Sequence, residues 1–380
     1  MRIAYLSHSI VPSRYANSVQ VMKMCQAFVD LGHMVDLYAI PGGEALSSDP
    51  FGYYGVRGGF EIRFCNRGKV PLARGFFYAW NVARTVRANA HPDVFYGRDV
   101  LSLLACSGFG VPLVYEVHQL PFRRMKRWVE ARLFGHPSFA RLVTISEALR
   151  QDYLQCFPGL NPNQVIVAHD GADLPSADTM VRIGEMNWPG RPGAIQVGYV
   201  GHLYPGKGME IIARLPGELP DIDFHVIGGF DEDVEYWRTQ VNCPNIHFHG
   251  FVEPSLLPSY YRHLDIVLAP LQYRVSLKGG RGDISRWTSP LKIFEYMSYG
   301  KAIVVSDLPV LAEVMRNEQN CLVVPADQPE AWVRAIRRLA DNVDERSKLG
   351  KQARYDLETQ YTWKRRAERV LASLRIAGLD

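Results

Sequence analysis

Short apolar runs alternate along this chain with segments whose apolar residues recur at helical spacing. Residues 3–6 form a run that reads as a buried strand. Val19, Met22, Phe28 and Leu31 then follow a helical period that closes at Gly32, and 33–39 return to a strand pattern. A strand–helix–strand opening of this kind implies a parallel sheet. The alternation continues, with helices predicted at 76–88, near Leu101, at 122–133 and from Glu147, and strands at 93–96, 113–117, 142–145 and 165–168. Residues 170–193 are rich in Gly, Pro, Asp and Ser and show no period, as a linker would. A second series of strands follows at 195–200, 224–227, 246–248, 266–269, 303–305 and 322–324. Helices from about Glu330 and Val343 and an amphipathic tail after Trp363 complete the pattern.

Two α/β units of similar length are therefore expected: an N-terminal domain over 1–180, a second over 190–360, and a tail helix over 361–380. The loop over 9–17 falls at the end of the first strand, where open α/β sheets bind ligands. The chain has no GxGxxG, so the dinucleotide fingerprint is absent.

Composition adds limits to this picture. The 380 residues are 47% hydrophobic and 22% charged, with a net charge of +4. The excess is in the first half, because residues 1–181 hold 18 Lys and Arg against 14 Asp and Glu, and the remainder holds 25 of each. That is too little for a dedicated nucleic-acid binder, so no nucleic-acid partner is expected. The six cysteines are scattered without a CxxC pair, which points to a reducing compartment and to neither a zinc site nor a disulfide framework. The longest apolar tract, about 100–117, is broken by Ser107, Gly108, Gly110 and Pro112, so no span is expected.

The stretch 288–300 concentrates the candidate chemistry. Ser289 reads as an N-cap and Pro290 as a first helical residue, with Gly300 ending the helix. Leu291, Phe294 and Met297 make a buried stripe, and Lys292, Glu295, Tyr296 and Tyr299 a polar one. Lys292 in the first turn opposes the helix dipole, which an anion at the helix start would relieve. The amides of Leu291 and Lys292 would meet that anion, and Glu295 could accept both hydroxyls of a ribose.

Gly201-His-Leu-Tyr-Pro-Gly-Lys-Gly208 follows the first strand of the second unit and precedes a helix. It is not a Walker loop, but with Lys292 it provides a two-lysine diphosphate site that stabilises a leaving diphosphate without a metal. A metal on Asp221 and Asp223, or on Asp231 and Asp233, is the weaker reading, since the second pair suits a helix start. His118 stands at the carboxyl edge of the first sheet, on the cleft between the domains if their sheets face each other. Arg274, Lys278, Arg281, Arg286 and Lys292 around Gly279, Gly280 and Gly282 read as a basic loop over a nucleotide, or as a solvated one. The segment 122–134 interleaves Arg123, Arg124, Lys126 and Arg127 with Phe122, Met125, Trp128, Leu133 and Phe134. It reads as a helix for an anionic membrane surface, or as a charged domain face.

Taken in order, Gly32-His-Met-Val35, Glu116-Val-His118, Val143-Thr-Ile-Ser-Glu-Ala148, Gly171-Ala-Asp173, Tyr199-Val-Gly-His-Leu203, Lys207-Gly208, His249-Gly-Phe-Val252, Asp265, Ser289-Pro-Leu-Lys292, Glu295-Tyr-Met297 and Tyr361-Thr-Trp363 resemble the retaining glycosyltransferases of family 4. The resemblance covers nearly the whole chain. It implies the GT-B fold, with two Rossmann-like domains whose parallel sheets face across a cleft and a tail that crosses back to the first domain. It also implies a nucleotide-diphosphate sugar, UDP- or GDP-linked, on the second domain and a glycan or lipid-linked acceptor on the first. Transfer would retain the anomeric configuration and use no metal or other cofactor.

By the same resemblance, His118 and Lys207 would be catalytic. His202, Lys207, Ser289, Leu291, Lys292 and Glu295 would bind the donor, with Arg281, Arg286 and Trp287 in the donor loop and Asn17 and Ser18 on the acceptor side. Two positions depart from the family. Trp287 stands where the first of two carboxylates is usual, and His202 where a phosphate-binding Arg is usual. The implied enzyme is a hexosyltransferase for surface polysaccharide, cytoplasmic and peripheral on the inner face of the membrane. The alternatives are an inactive nucleotide-sugar-binding subunit, which Trp287 supports, and a sugar-nucleotide epimerase on the same fold.

Overall fold

The computed structural model describes residues 1–43, 49–68, 71–89, 91–175, 186–275, 283–372 and 374. The chain divides into two compact units, one of Met1–His169 with the chain from Trp363, the other Asp170–Thr362.

In the first unit the elements are β1 (Arg2–Val11), α1 (Ala16–Asp30), β2 (Met34–Pro41), α2 (Pro50–Tyr54), β3 (Glu61–Phe64), α3 (Arg74–Asn89), β4 (Val94–Gly97), α4 (Val100–Ala105), β5 (Leu113–Val117), α5 (Arg124–Phe134), β6 (Phe139–Thr144), α6 (Glu147–Cys156) and β7 (Val165–Val167). The sheet order is β3-β2-β1-β4-β5-β6-β7, with every paired neighbour parallel. β4 and β5 are buried along their whole lengths, as strands covered by helices on both faces must be.

The second unit runs β8 (Gln196–Val200), α7 (Met209–Ile212), α8 (Leu215–Glu218), β9 (Asp223–Ile227), α9 (Asp231–Gln240), β10 (Ile246–Gly250), α10 (Leu257–His263), β11 (Ile266–Ala269), α11 (Leu291–Ser298), β12 (Ala302–Ser306), β13 (Leu322–Val324), α12 (Pro329–Asp341) and α13 (Val343–Asp356). Its parallel sheet has the order β10-β9-β8-β11-β12-β13. Both sheets start at an inner strand, wind one way, then reverse. The reversals fall between β1 and β4 and between β8 and β11, where doubly wound sheets bind ligands.

The last helix, α14 (Trp363–Leu371), belongs to the first unit and packs on α1. Trp363, Arg366, Ala367 and Val370 are its buried positions. The expected boundaries at 180 and 361 thus move to His169/Asp170 and Thr362/Trp363.

Two expectations for the first unit change. β1 continues beyond residue 6 through the polar Ser7-His-Ser9, because Ile10 and Val11 resume pairing with Ile40 and Pro41 after a register shift. The loop expected from residue 9 therefore starts only after Val11. β3 is an additional edge strand, half exposed and only four residues long.

Candidate functional site

The turn after β8 carries the glycine-rich loop to the strand-order reversal of the second sheet. Gly201 has φ 145° and its N–H donates to the Ile227 carbonyl at 2.9 Å. A Cβ at Gly201 would lie 3.1 Å from Lys292 Nζ, so glycine is what admits that lysine. At the far end of the loop Gly208, with φ 110°, lets the backbone close onto Pro270 at the end of β11. Lys207 is thereby held between two strand ends.

Lys292 comes from the first turn of α11. Its Nζ is buried, makes no hydrogen bond, and lies 3.7 Å from the centroid of the Tyr199 ring. Burial lowers its pKa well below the usual lysine value, the charge of Lys207 lowers it further, and Glu295 opposes both. Burial likewise lowers Lys207 to about 8. Two desolvated lysines, the charge of Lys207 further lowering Lys292, next to a helix start, form a site that gains free energy when an anion enters. The first amides of α11 have no acceptor within the helix and add donors to the same place.

Glu295 is one turn further along α11. Tyr261, on α10, donates from its hydroxyl to Glu295 Oε2 at 2.6 Å. Burial, then Glu295 itself, raises Tyr261 well above the usual tyrosine range, so the phenol remains a donor. Tyr261 stacks on Tyr299 at 4.7 Å. These contacts fix the carboxylate on the half-buried side of the helix. His202 is layered between Tyr204 and Phe230, with ring centroids 5.2 and 5.0 Å away.

Several expected details of 288–300 are corrected. Pro290, not Ser289, is the N-cap and makes no side-chain cap bond. Ser289 Oγ instead accepts from the Asp170 amide at 3.2 Å, a long-range contact that ties down the start of the second unit. Leu291 is only half-buried, whereas Ile293 is buried with Phe294 and Met297. Tyr296, expected on the polar face, is buried, and its hydroxyl accepts from the Val200 amide and donates to the Leu268 carbonyl. Trp287 is buried at 7% exposure in the turn before α11, and Arg286 is exposed. Arg281 and Lys278 lie outside the described residues.

The four acids proposed as metal ligands have other roles. Asp221 is held by Arg337 at 2.6 and 2.7 Å, Asp223 by Arg191 at 2.5 and 2.8 Å, and Asp231 and Asp233 lie in the first turn of α9. Among the described residues no group of three or more His, Cys, Asp or Glu is placed to hold a metal ion.

In the first unit His118 follows β5. Its Nε2 lies 2.6 Å from Oε1 of Glu116, two residues earlier on the same strand face. Asn17 is exposed and donates to Ser9 Oγ at 3.0 Å. Ser18 is buried, and its hydroxyl donates to the backbone of Tyr15 and Ser13, so it shapes the loop rather than presenting a contact.

The comparisons match both units. Residues 18–175 match the family model for Glycosyltransferase Family 4, and 194–342 that for Glycosyl transferases group 1. The fold is that of Anabaena HepE solved with UDP and glucose, at TM-score 0.68 and 17% identity, covering 98% of this chain and all of that one. This chain is a glycosyltransferase of the GT-B type.

Among curated relatives, the D-inositol 3-phosphate glycosyltransferase of Paenarthrobacter aurescens is 24% identical over 299 residues, 71% of this chain and 69% of that protein. The phosphatidyl-myo-inositol mannosyltransferase of Mycolicibacterium smegmatis is 24% identical over 363 residues, 90% of this glycosyltransferase and 85% of that one.

Sequence reasoning missed two supports of the candidate site residues and one exposed surface. Tyr261 holds Glu295 from another helix, and no spacing along the chain announces it. Glu116 was legible only as a neighbour of His118. Around α3 the missed signal was composition: its sequence holds three arginines and no acid, and it exposes Phe76, Phe77 and Trp80, the last at 55%.

Proposed function

We propose that this glycosyltransferase moves a hexose from a nucleotide-diphosphate sugar, UDP- or GDP-linked, to a glycan or lipid-linked acceptor. Retention of anomeric configuration and independence of metal are part of the proposal. The observation that carries it is the buried, unbonded Lys292 ammonium beside Lys207 and the first turn of α11. Two lysines stabilise the negative charge that develops on a departing diphosphate, the task a divalent cation performs elsewhere. Glu295 is fixed where it would accept from ribose hydroxyls, and the first amides of α11 would take the phosphate oxygens. A UDP-sugar is supported by Anabaena HepE, which was solved with UDP-glucose at TM-score 0.69. A lipid-linked acceptor is supported by the relative named above as a phosphatidyl-myo-inositol mannosyltransferase.

Work at the inner membrane surface is supported by α5, where Met125 and Trp128 are exposed at 66% and 65% among Arg123, Arg124 and Arg127. Among the described residues no helix is long and apolar enough to cross a membrane.

Lys207→Ala tests the proposal. Transfer from a panel of UDP- and GDP-sugars should fall by about 10²–10³-fold, with unchanged circular dichroism and unchanged rates in EDTA for the parent. Near-normal transfer in the variant would remove Lys207 from its role. Buried Trp287 favours a second reading, a subunit that binds donor without turning it over. Calorimetric donor binding with no nucleotide release on any acceptor would select that reading.

A further inference from the structure

His118 does not stand alone on its strand end; behind it lies a charged network sealed from water. Glu116 and Arg366 have side chains 0% and 1% exposed, and Arg366 Nη1 lies 3.0 Å from Glu116 Oε2. The Tyr96 hydroxyl donates to the same oxygen. Gln20 Nε2 donates to Oε1 at 2.7 Å, and Arg98 Nη1 donates to Gln20 Oε1 at 3.0 Å. Arg366 Nε donates to the His169 carbonyl at 3.0 Å, and Nη1 also reaches Tyr96. Glu116 Oε1 also lies 2.6 Å from His118 Nε2.

We propose that Arg366, on the C-terminal helix α14, is a positioning residue that acts through Glu116 to fix the tautomer and orientation of His118. Burial pushes the Glu116 carboxyl up, but Arg366 first and His118 next more than offset it and hold it at about 2. Glu116 is therefore an ionised, acceptor-only group at any working pH. A neutral His118 bonded to it carries its proton on Nε2, so Nδ1 presents the lone pair. A sugar hydroxyl that meets Nδ1 does so as a donor. Without Arg366 a carboxylate with no counter-ion would remain in the core. It would take up a proton, or hold His118 as imidazolium, and in either case the fixed tautomer is lost.

This inference rests on the reading of His118 as a catalytic residue, and two readouts keep the two apart. The first is the ¹⁵N spectrum of the histidine rings of the full chain at pH 8, with the His118 signal assigned by its loss in His118→Gln. The parent should show the neutral Nε2–H form. Arg366→Met should lose it, Arg366→Lys should retain it, and Arg141→Met should leave it unchanged. Arg141 Nη1 donates to the Val370 carbonyl at 2.6 Å, so this last variant loosens α14 without touching Glu116.

An Nδ1–H form in the parent, which needs no variant to fold, would overturn the inference. So would a parent-like spectrum in Arg366→Met, or loss of the Nε2–H form in Arg141→Met. The second readout is transfer: Arg366→Met should lower kcat roughly 10–100-fold with donor KM within about twofold, and Arg366→Lys should restore most of it. Spectra as expected with kcat unchanged would leave the Arg366–Glu116–His118 chain standing and remove His118 from the chemistry.

Discussion

Lys207 and Lys292 illustrate a residue-scale conflict between folding and function. Burial lowers Lys207 from 10.5 to about 8. The unfolded chain therefore binds the extra proton between about pH 8 and 10.5, so this group's contribution improves as pH rises through that window and is unfavourable below it. Lys207→Met removes the penalty. The variant should unfold about 1–3 kcal/mol later in urea at pH 7 while transfer collapses, and a less stable variant would show that the lysine is not held at a cost. The pH also sets the ligand's grip. With Lys207 protonated only below about 8 in the empty site, the calorimetric affinity for a nucleoside diphosphate should weaken between pH 8 and 9.5, and a flat profile would contradict the pairing.

Elements were legible in proportion to how much of their burial came from their own pattern. The central strands β4, β5, β8 and β11 are buried along their length and apolar except at Glu116 and Gln196, so a short, mostly apolar run identified them. β3 failed that test because Glu61-Ile-Arg-Phe64 is an edge strand with mixed exposure. Ser289 failed as a cap because a residue 119 positions away, Asp170, occupies its hydroxyl, a tertiary contact that no local rule anticipates. The lysines, Glu295 and His118 were legible because strand ends and helix starts are where such folds gather chemistry. Their supports, Tyr261 and Arg366, sit on other elements and were not.

Trp188 stacks on His249 of β10 and His263 of α10 and lies tilted over His225 of β9, with His225 Nδ1 3.0 Å from His249 Nε2. Burial lowers His225 to about 3 and His249 to about 4, with neighbouring histidines adding to the effect. Their unfolded forms bind protons from about pH 6.5 downward, so stability should fall as pH drops from 6.5 toward 3. Each group contributes up to about 1.4 kcal/mol per pH unit. His225→Gln should flatten the profile of melting temperature between pH 4 and 6, and an unchanged slope would exclude the cluster as its cause. Helices α3 and α5 both pack on α4 and start at the carboxyl edge of their sheet. Substituting Trp80 and Trp128 together by Ser should reduce sedimentation with anionic vesicles at low salt by more than either change alone, which a flotation assay would measure.

At the scale of the whole molecule, the first unit is made from both ends of the chain. Its core holds Trp363, Ala367 and Val370 from α14, and its buried carboxylate is neutralised by Arg366. Removing α14 costs on the order of 4 kcal/mol for the tryptophan alone and leaves Glu116 without its counter-ion. Against a typical domain stability of about 5–15 kcal/mol, a chain ending at Thr362 should show the melting transition of the second unit and lose that of the first in calorimetry.

That architecture imposes an order on synthesis. The ribosome delivers 169 residues of the first unit, then the whole of the second, before the segment that completes the first emerges. For that interval the nascent protein carries one module able to close and one still lacking its final helix. Residue 363 thus sets an order of assembly: the buried neighbours of His118 are complete only once Trp363–Leu371 has been made, and a chain that stops before it lacks the counter-ion of Glu116.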